Sequence, residues 1–227
     1  MVRATRKTPG IRAKHRVRKE ARILAAARAL LRQRGYELLS LRDVARRAGV
    51  SPAGMYEFFD SREHLVEALA AEASGALTAA LRIANGGETD AVGRLVSVGL
   101  AYIRFAQERP ADFRLLFGRR SARRSLDEAV PADSEYMVIR TAVEELLGAG
   151  GNGGVGQRVV EVLAYGFWST IHGMAVLQFT HLAGFDADFA TADRLLLENT
   201  ARSWQRVDWR RVTPPAAAAG RGESGGL

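Results

Sequence analysis

Hydrophobic positions recur at helical spacing along most of this chain. In residues 17–34, Ala21, Leu24, Ala27 and Leu31 fall on one face and arginines on the others, which predicts an amphipathic helix ending at Gly35. Ser40 and Asp43 stand at capping-box spacing before a short helix over 41–47. Gly49 breaks the chain. Ser51 then caps a third helix, with Pro52 at its first position and Val50 and Met55 at the two positions of a hydrophobic staple. Asp60 or Ser61 opens a fourth helix, which carries Leu65, Leu69, Ala73, Leu77 and Leu81 on one stripe and ends at Asn85, Gly86 and Gly87.

A second block follows. Residues 91–107 are apolar nearly all round, with Val92, Leu95, Val96 and Ile103 on one side and Val98, Tyr102 and Phe105 on another, the pattern of a central buried helix. Arg109 and Pro110 break it before a short helix over 112–117. Residues 119–133 read as a polar loop, 134–147 as a helix and 148–156 as a glycine-rich connection. A long apolar helix over 157–182 and an amphipathic one over 188–207 complete the series. No stretch reads as a strand. The pattern predicts an all-α chain of about nine helices: a disordered basic tail (1–15), a small helical domain (16–64), a larger helical domain (65–212) and a disordered Pro, Ala and Gly tail (213–227).

Charge divides the chain in the same way. The formal net is +8, but residues 1–64 hold sixteen Lys and Arg against six Asp and Glu, a local +10, and the remainder carries −2. Only the N-terminal part therefore calls for a polyanionic partner. The absence of cysteine excludes disulfides and thiolate metal chemistry. With no apolar run behind the N-terminal charges, no secretory signal is read and a cytoplasmic location is expected. Residues 159–179 are long enough to cross a bilayer. They include Glu161, Ser169, Thr170, His172 and Gln178, so a helix buried in a protein core is expected and no membrane.

The second and third helices together read LRDVARRAGVSPAGMYEFF, two short helices joined by a tight turn containing Gly. That is the helix-turn-helix arrangement, whose second helix lies in the major groove of DNA. Val44, Ala45, Ala48, Val50, Met55 and Phe59 are its inward positions. Ala53, Gly54 and Glu57 then point outward, an almost bare surface that lets the backbone approach a nucleic acid closely. Tyr56 and Phe58 flank it, and the Tyr56 hydroxyl can donate to a phosphate oxygen. Arg42, opening the second helix, is placed for a phosphate or a base edge. Glu57 is unfavourable beside phosphates unless it accepts from cytosine N4. The stretch from Arg3 to Lys19 is read either as an arm entering the minor groove or as a source of simple nonspecific attraction.

In the C-terminal part, Tyr102, Phe105, Phe113, Phe117, Tyr165 and Trp168 can line an apolar ligand pocket, and His172 is either its polar anchor or a satisfied core histidine. No nucleophile or metal-ligand partner stands at helical spacing from His172, so neither an enzyme, a cofactor nor a metal is expected. The last two helices are more apolar than one domain needs. Leu196, Asn199, Thr200 and Ser203 give a face suited to pairing with a second copy in a four-helix interface.

The stretch SLRDVARRAGVSPAGMYEFFDSREHL, with Gly49, Val50, Ser51, Tyr56, Phe59, Ser61 and Leu65 in register, resembles the DNA-binding domain of the TetR family of bacterial transcriptional regulators. YIRFAQERPADFRLLF and YGFWSTIHGMAVL resemble one C-terminal subgroup of that family. The resemblance implies a homodimeric repressor bound to a palindromic operator and released by a small, largely apolar effector. It places Ser51 at the DNA and puts Arg62 where the family has a Lys for the DNA backbone. Gly54 departs from the family's Thr or Ser, so a hydroxyl–phosphate contact is missing. The alternative is an architectural, weakly specific DNA-binding protein.

Overall fold

The computed structural model describes residues 11–118, 133–149 and 155–211, and among these every regular element is helical. The elements are α1 (Ile11–Arg34), α2 (Leu41–Ala48), α3 (Pro52–Tyr56), α4 (Arg62–Gly86), α5 (Ala91–Glu108), α6 (Pro110–Phe117), α7 (Glu135–Ala149), α8 (Gln157–Phe179) and α9 (Phe189–Gln205), with one 3₁₀ turn at Trp209–Arg211. The all-α architecture is the one the hydrophobic periodicity predicts. The expected tails at 1–10 and 213–227, and most of the loop at 119–133, lie outside the described residues. The chain divides into two compact units, one of residues 1–75 with 109–122, the other of 76–108 with 123–227.

The first unit is built around a core of Ile23, Leu24, Ala27 and Leu31 from α1, Val44, Ala45 and Ala48 from α2, Met55, Phe59, Leu65 and Leu69. Removing such a set of side chains from water supplies the stability that α2 and α3 lack alone, each being too short to persist in isolation. The local signals act as the sequence indicates. Asp43 N–H donates to Ser40 Oγ at 3.1 Å, and Gly35 and Gly49 end α1 and α2 at φ +77° and +63°. Gly54 N–H donates to Ser51 Oγ at 3.1 Å, and Pro52 occupies the first turn. Two expectations change. α1 begins at Ile11, ahead of the expected 17, so residues 11–15 are helix and not tail. The short α6 belongs to this unit, because Leu115 and Ala111 pack into the same core.

In the second unit α5 is the central helix, packed against α7, α8 and α9. Val92, Leu95, Val96, Val98, Tyr102, Ile103 and Phe105 are all buried, as its all-round apolar pattern requires. Gly99 marks the tightest crossing. A Cβ there would lie 2.8 Å from Leu197 Cδ1, 3.0 Å from Phe167 Cζ and 3.2 Å from Ile171 Cγ2, so only a residue without a side chain lets α5, α8 and α9 meet. Arg94 Nε and Glu145 Oε2, 2.9 Å apart, tie α5 to α7. Buried Asp193 on α9 accepts from Gln178 Nε2 on α8 at 2.8 Å. α8 is long and apolar enough to cross a membrane by length and composition, and it buries Val159, Val160, Leu163, Ala164, Phe167, Ile171 and Ala175 within this unit.

Candidate nucleic-acid interface

The turn between α2 and α3 is set by Gly49 in the left-handed region, whose N–H closes on Arg46 O, with Val50 N–H closing on Ala45 O. Met55 and Phe59 then face the core, and Val50 packs against it. Outward on this pair of helices lie Arg42, Arg46, Arg47, Ser51, Pro52, Ala53, Tyr56 and Glu57, all exposed, with Tyr56 60% accessible. Tyr56 thus presents both an aromatic face and a hydroxyl to solvent on this surface.

Gly54 does not join them. It is buried, and a Cβ there would lie 3.0 Å from Lys19 Nζ and 3.1 Å from Ser51 Oγ. The reason is the packing of α1, which carries Lys19 across the first turn of α3. Glu57 is engaged as well, its Oε2 accepting from Lys19 Nζ at 3.1 Å. Phe58 turns toward α1, where Lys19 Nζ lies 5.2 Å and the Arg16 guanidinium 5.6 Å from its ring centroid. Arg62 turns inward. Its Nε donates to Leu39 O at 2.9 Å and its Nη2 to Tyr36 O at 2.6 Å and Glu37 O at 3.2 Å, so the guanidinium holds the loop between α1 and α2.

In the second unit, Tyr102 on α5 meets Trp168 and His172 on α8. Trp168 Nε1–H can only donate, and it lies 3.2 Å from the Tyr102 hydroxyl oxygen. The same hydroxyl lies 2.9 Å from His172 Nδ1, a hydrogen bond whose direction is set by the imidazole tautomer. Burial holds the His172 pKa below its usual 6.5, in keeping with a neutral ring. Burial likewise pushes the Tyr102 phenol well above its usual 10. Tyr136 on α7 packs its ring 5.8 Å from that of Trp168.

Residues 23–69 match the family model for the bacterial regulatory proteins of the tetR family, and residues 95–199 match the model for the tetracyclin repressor-like C-terminal domain. The chain belongs to the TetR family of bacterial transcriptional regulators. Its curated relatives include an uncharacterized HTH-type transcriptional regulator of Bacillus subtilis, 33% identical over 26% of this chain and 28% of that protein. Another, from Mycobacterium tuberculosis, is 49% identical over 20% of this chain and 21% of that protein. These alignments therefore span about a quarter of the relatives' length. Among solved structures, a protein of unknown function from Rhodococcus sp. RHA1 is 26% identical, covering 90% of this chain and 98% of that one at a TM-score of 0.66. TetR from Acinetobacter baumannii AYE shares the fold at 17% identity and a TM-score of 0.57, over 81% of this chain and 95% of that one.

Within this TetR-family chain the structure brings three residues of the expected effector site into direct contact. Tyr102, Trp168 and His172 form one hydrogen-bonded cluster, and Phe105 is buried on the same helix as Tyr102. Tyr165 is 65% exposed, on the opposite side of α8 from the buried residues. Phe113 and Phe117, with ring centroids 4.8 Å apart, sit on α6 in the other unit. Their apolar spacing was legible in the sequence; the face of the helix and the unit they join were not. Tyr136 was missed, and Arg16 and Lys19 were read only within the basic stretch from Arg3 to Lys19, with no partner on α3 assigned. The recurring cations of α1 were visible, but nothing local said which of them would meet α3.

Proposed function

We propose that this TetR-family regulator is a homodimeric repressor that binds a palindromic operator and leaves it when a small, largely apolar effector enters the second unit. The exposed Tyr56, carried with Ala53 on a helix that is otherwise folded into the core, is the observation that bears most weight for DNA. Two such helices, one per protomer, would enter successive major grooves about 34 Å apart. Tyr56 and Arg42 serve phosphate or base edges, and Ser51 keeps the helix start in place. Arg62 acts on the DNA through the loop it holds.

The dimer reading is supported by the outer faces of α8 and α9. Val162, Tyr165 and Leu177 on α8 and Leu195 and Leu196 on α9 are exposed. The hydroxyls among them bond back to their own helices: Thr170 to Gly166 O, Thr200 to Leu196 O and Ser203 to Thr200 O. A face with exposed apolar groups and self-satisfied hydroxyls suits helix-on-helix pairing. For the effector, the neutral His172, oriented by Tyr102, offers a polar anchor beside Trp168 and Tyr136. An effector lowers operator affinity only by binding the released conformation more tightly. Nothing in this scheme requires a catalytic group, and a cytoplasmic location follows from a partner that is chromosomal DNA.

Selection of bound duplexes from a randomised pool tests the reading. Enrichment of a palindrome is expected. A folded, dimeric protein that enriches none and is competed equally by unrelated DNA would instead be an architectural DNA-binding protein.

A further inference from the structure

The cations of α1 that meet α3 have no role in a helix-turn-helix of two short helices. Arg12, Arg16 and Lys19 recur at i, i+4 and i+7 and so share one face of α1. Residues 11–22 carry six Lys and Arg against the single acid Glu20. Two of the six are held in place. Arg16 and Lys19 lie 5.6 and 5.2 Å from the centroid of the Phe58 ring, within reach of its negative face. Lys19 Nζ is fixed further by Glu57 Oε2 at 3.1 Å and covers buried Gly54. On α3 and the residues that follow it, Gly54 and Phe58 are four residues apart, and so are Ala53 and Glu57. The first pair faces α1, and the second runs along the exposed surface that Tyr56 shares. Glu57 thus joins the two, and Lys19 emerges at the edge of the outward face with a third of its side chain accessible.

We propose that this face of α1 is a second phosphate-contacting surface, in which Arg16 and Lys19 grip the DNA backbone beside the groove that α3 enters. Phe58 is the platform that presents both cations. Glu57 is a positioning residue for Lys19 and not a reader of bases. The proposal rests on the DNA-binding reading above. A long cationic side chain already held by an aromatic ring and a carboxylate loses less freedom on meeting a phosphate than one waving in solvent. It also explains the glycine. A side chain at Gly54 would occupy the place of the Lys19 ammonium, while a Thr or Ser hydroxyl there would duplicate a contact that Lys19 already makes. Counterion release makes each such contact countable, because the salt dependence of binding steepens by about 0.9 for every phosphate neutralised.

The experiment measures binding of the full chain to a fluorescein-labelled duplex of randomised sequence across a series of NaCl concentrations, with thermal unfolding as the control for folding. Arg16→Gln with Lys19→Gln is expected to reduce the log–log salt slope by about 1.8 per protomer with an unchanged melting temperature, and Arg16→Lys with Lys19→Arg to retain the wild-type slope. Phe58→Leu keeps the apolar packing and removes the aromatic face, so affinity should fall about two- to fivefold. Glu57→Gln removes a negative charge from beside the phosphates and should raise affinity for randomised DNA. If the double Gln variant keeps the wild-type slope, or lowers only the melting temperature, the α1 surface is structural and the proposal fails. If Glu57→Gln leaves randomised DNA unaffected and abolishes preference for a selected operator, Glu57 reads bases and its positioning role is overturned. Wild-type protein that binds no duplex would overturn the DNA-binding reading, and this proposal with it.

Discussion

Single side chains in the first unit owe their roles to partners far away in sequence. Arg62 stands where the family resemblance implies a cation for the DNA backbone, yet its guanidinium spans three carbonyls of the loop before α2. A planar fork can bond several acceptors at once, whereas an ammonium is a point charge, so Lys would not replace it. Arg62→Ala is expected to lower unfolding free energy by about 1–2 kcal/mol, as loss of charge-assisted hydrogen bonds at a partly exposed site. Arg62→Lys should recover little of it. Urea denaturation measures both, and an Arg62→Ala protein as stable as wild type would return the residue to the DNA. Gly54 shows the same dependence. Its lack of a side chain suggested an outward, bare surface, but the space beside it is taken by Lys19.

At the level of elements, the seam between α5 and α8 is where chemistry and packing coincide. Tyr102 lies at the centre, its hydroxyl accepting the Trp168 N–H and hydrogen-bonded to His172 Nδ1. Tyr102→Phe removes the oxygen that both groups bond and should cost about 1–2 kcal/mol by chemical denaturation. The same seam sets a pH dependence. Burial depresses the His172 pKa below 6.5, so the unfolded chain binds the proton more readily than the folded one. Stability from this group is complete above about pH 6.5 and is lost as pH falls toward the lower folded pKa. His172→Gln should flatten the stability–pH profile on the acid side of about pH 6.5. A profile that keeps its slope in that variant would place the titration elsewhere.

At the scale of the whole molecule, assembly turns on the outer faces of α8 and α9. Leu196 is half exposed, four residues before Thr200, whose hydroxyl bonds back to Leu196 O. Leu196→Glu puts a charge on the proposed pairing face without entering the core of its own chain. Sedimentation should show wild type at about twice 24.7 kDa and the variant shifted toward 24.7 kDa. A monomeric wild type, or a variant that stays dimeric, would move the interface to another surface. The salt slope of DNA binding should become shallower when dimerisation is lost, because each protomer supplies its own set of phosphate contacts.

Much of this was legible along the chain. Leu65, Leu69, Ala73, Leu77 and Leu81 announce one helix face, and all five are buried. Ser40, Gly49, Ser51 and Pro52 mark the ends of α2 and α3 at positions the structure uses. Such signals are local: a cap, a left-handed turn or a periodic stripe acts within a few residues, so sequence by itself determined the helices, their order and the helix-turn-helix. Only the tertiary structure decided which polar groups meet. Lys19 reaches Glu57 across 38 positions, Arg62 reaches Tyr36 across 26 and Tyr102 reaches His172 across 70. The same is true of Tyr165, whose helix was evident but whose exposed face was set by what α8 packs against. A charge or hydroxyl finds its partner through the space that packing creates, and no short-range pattern encodes that space.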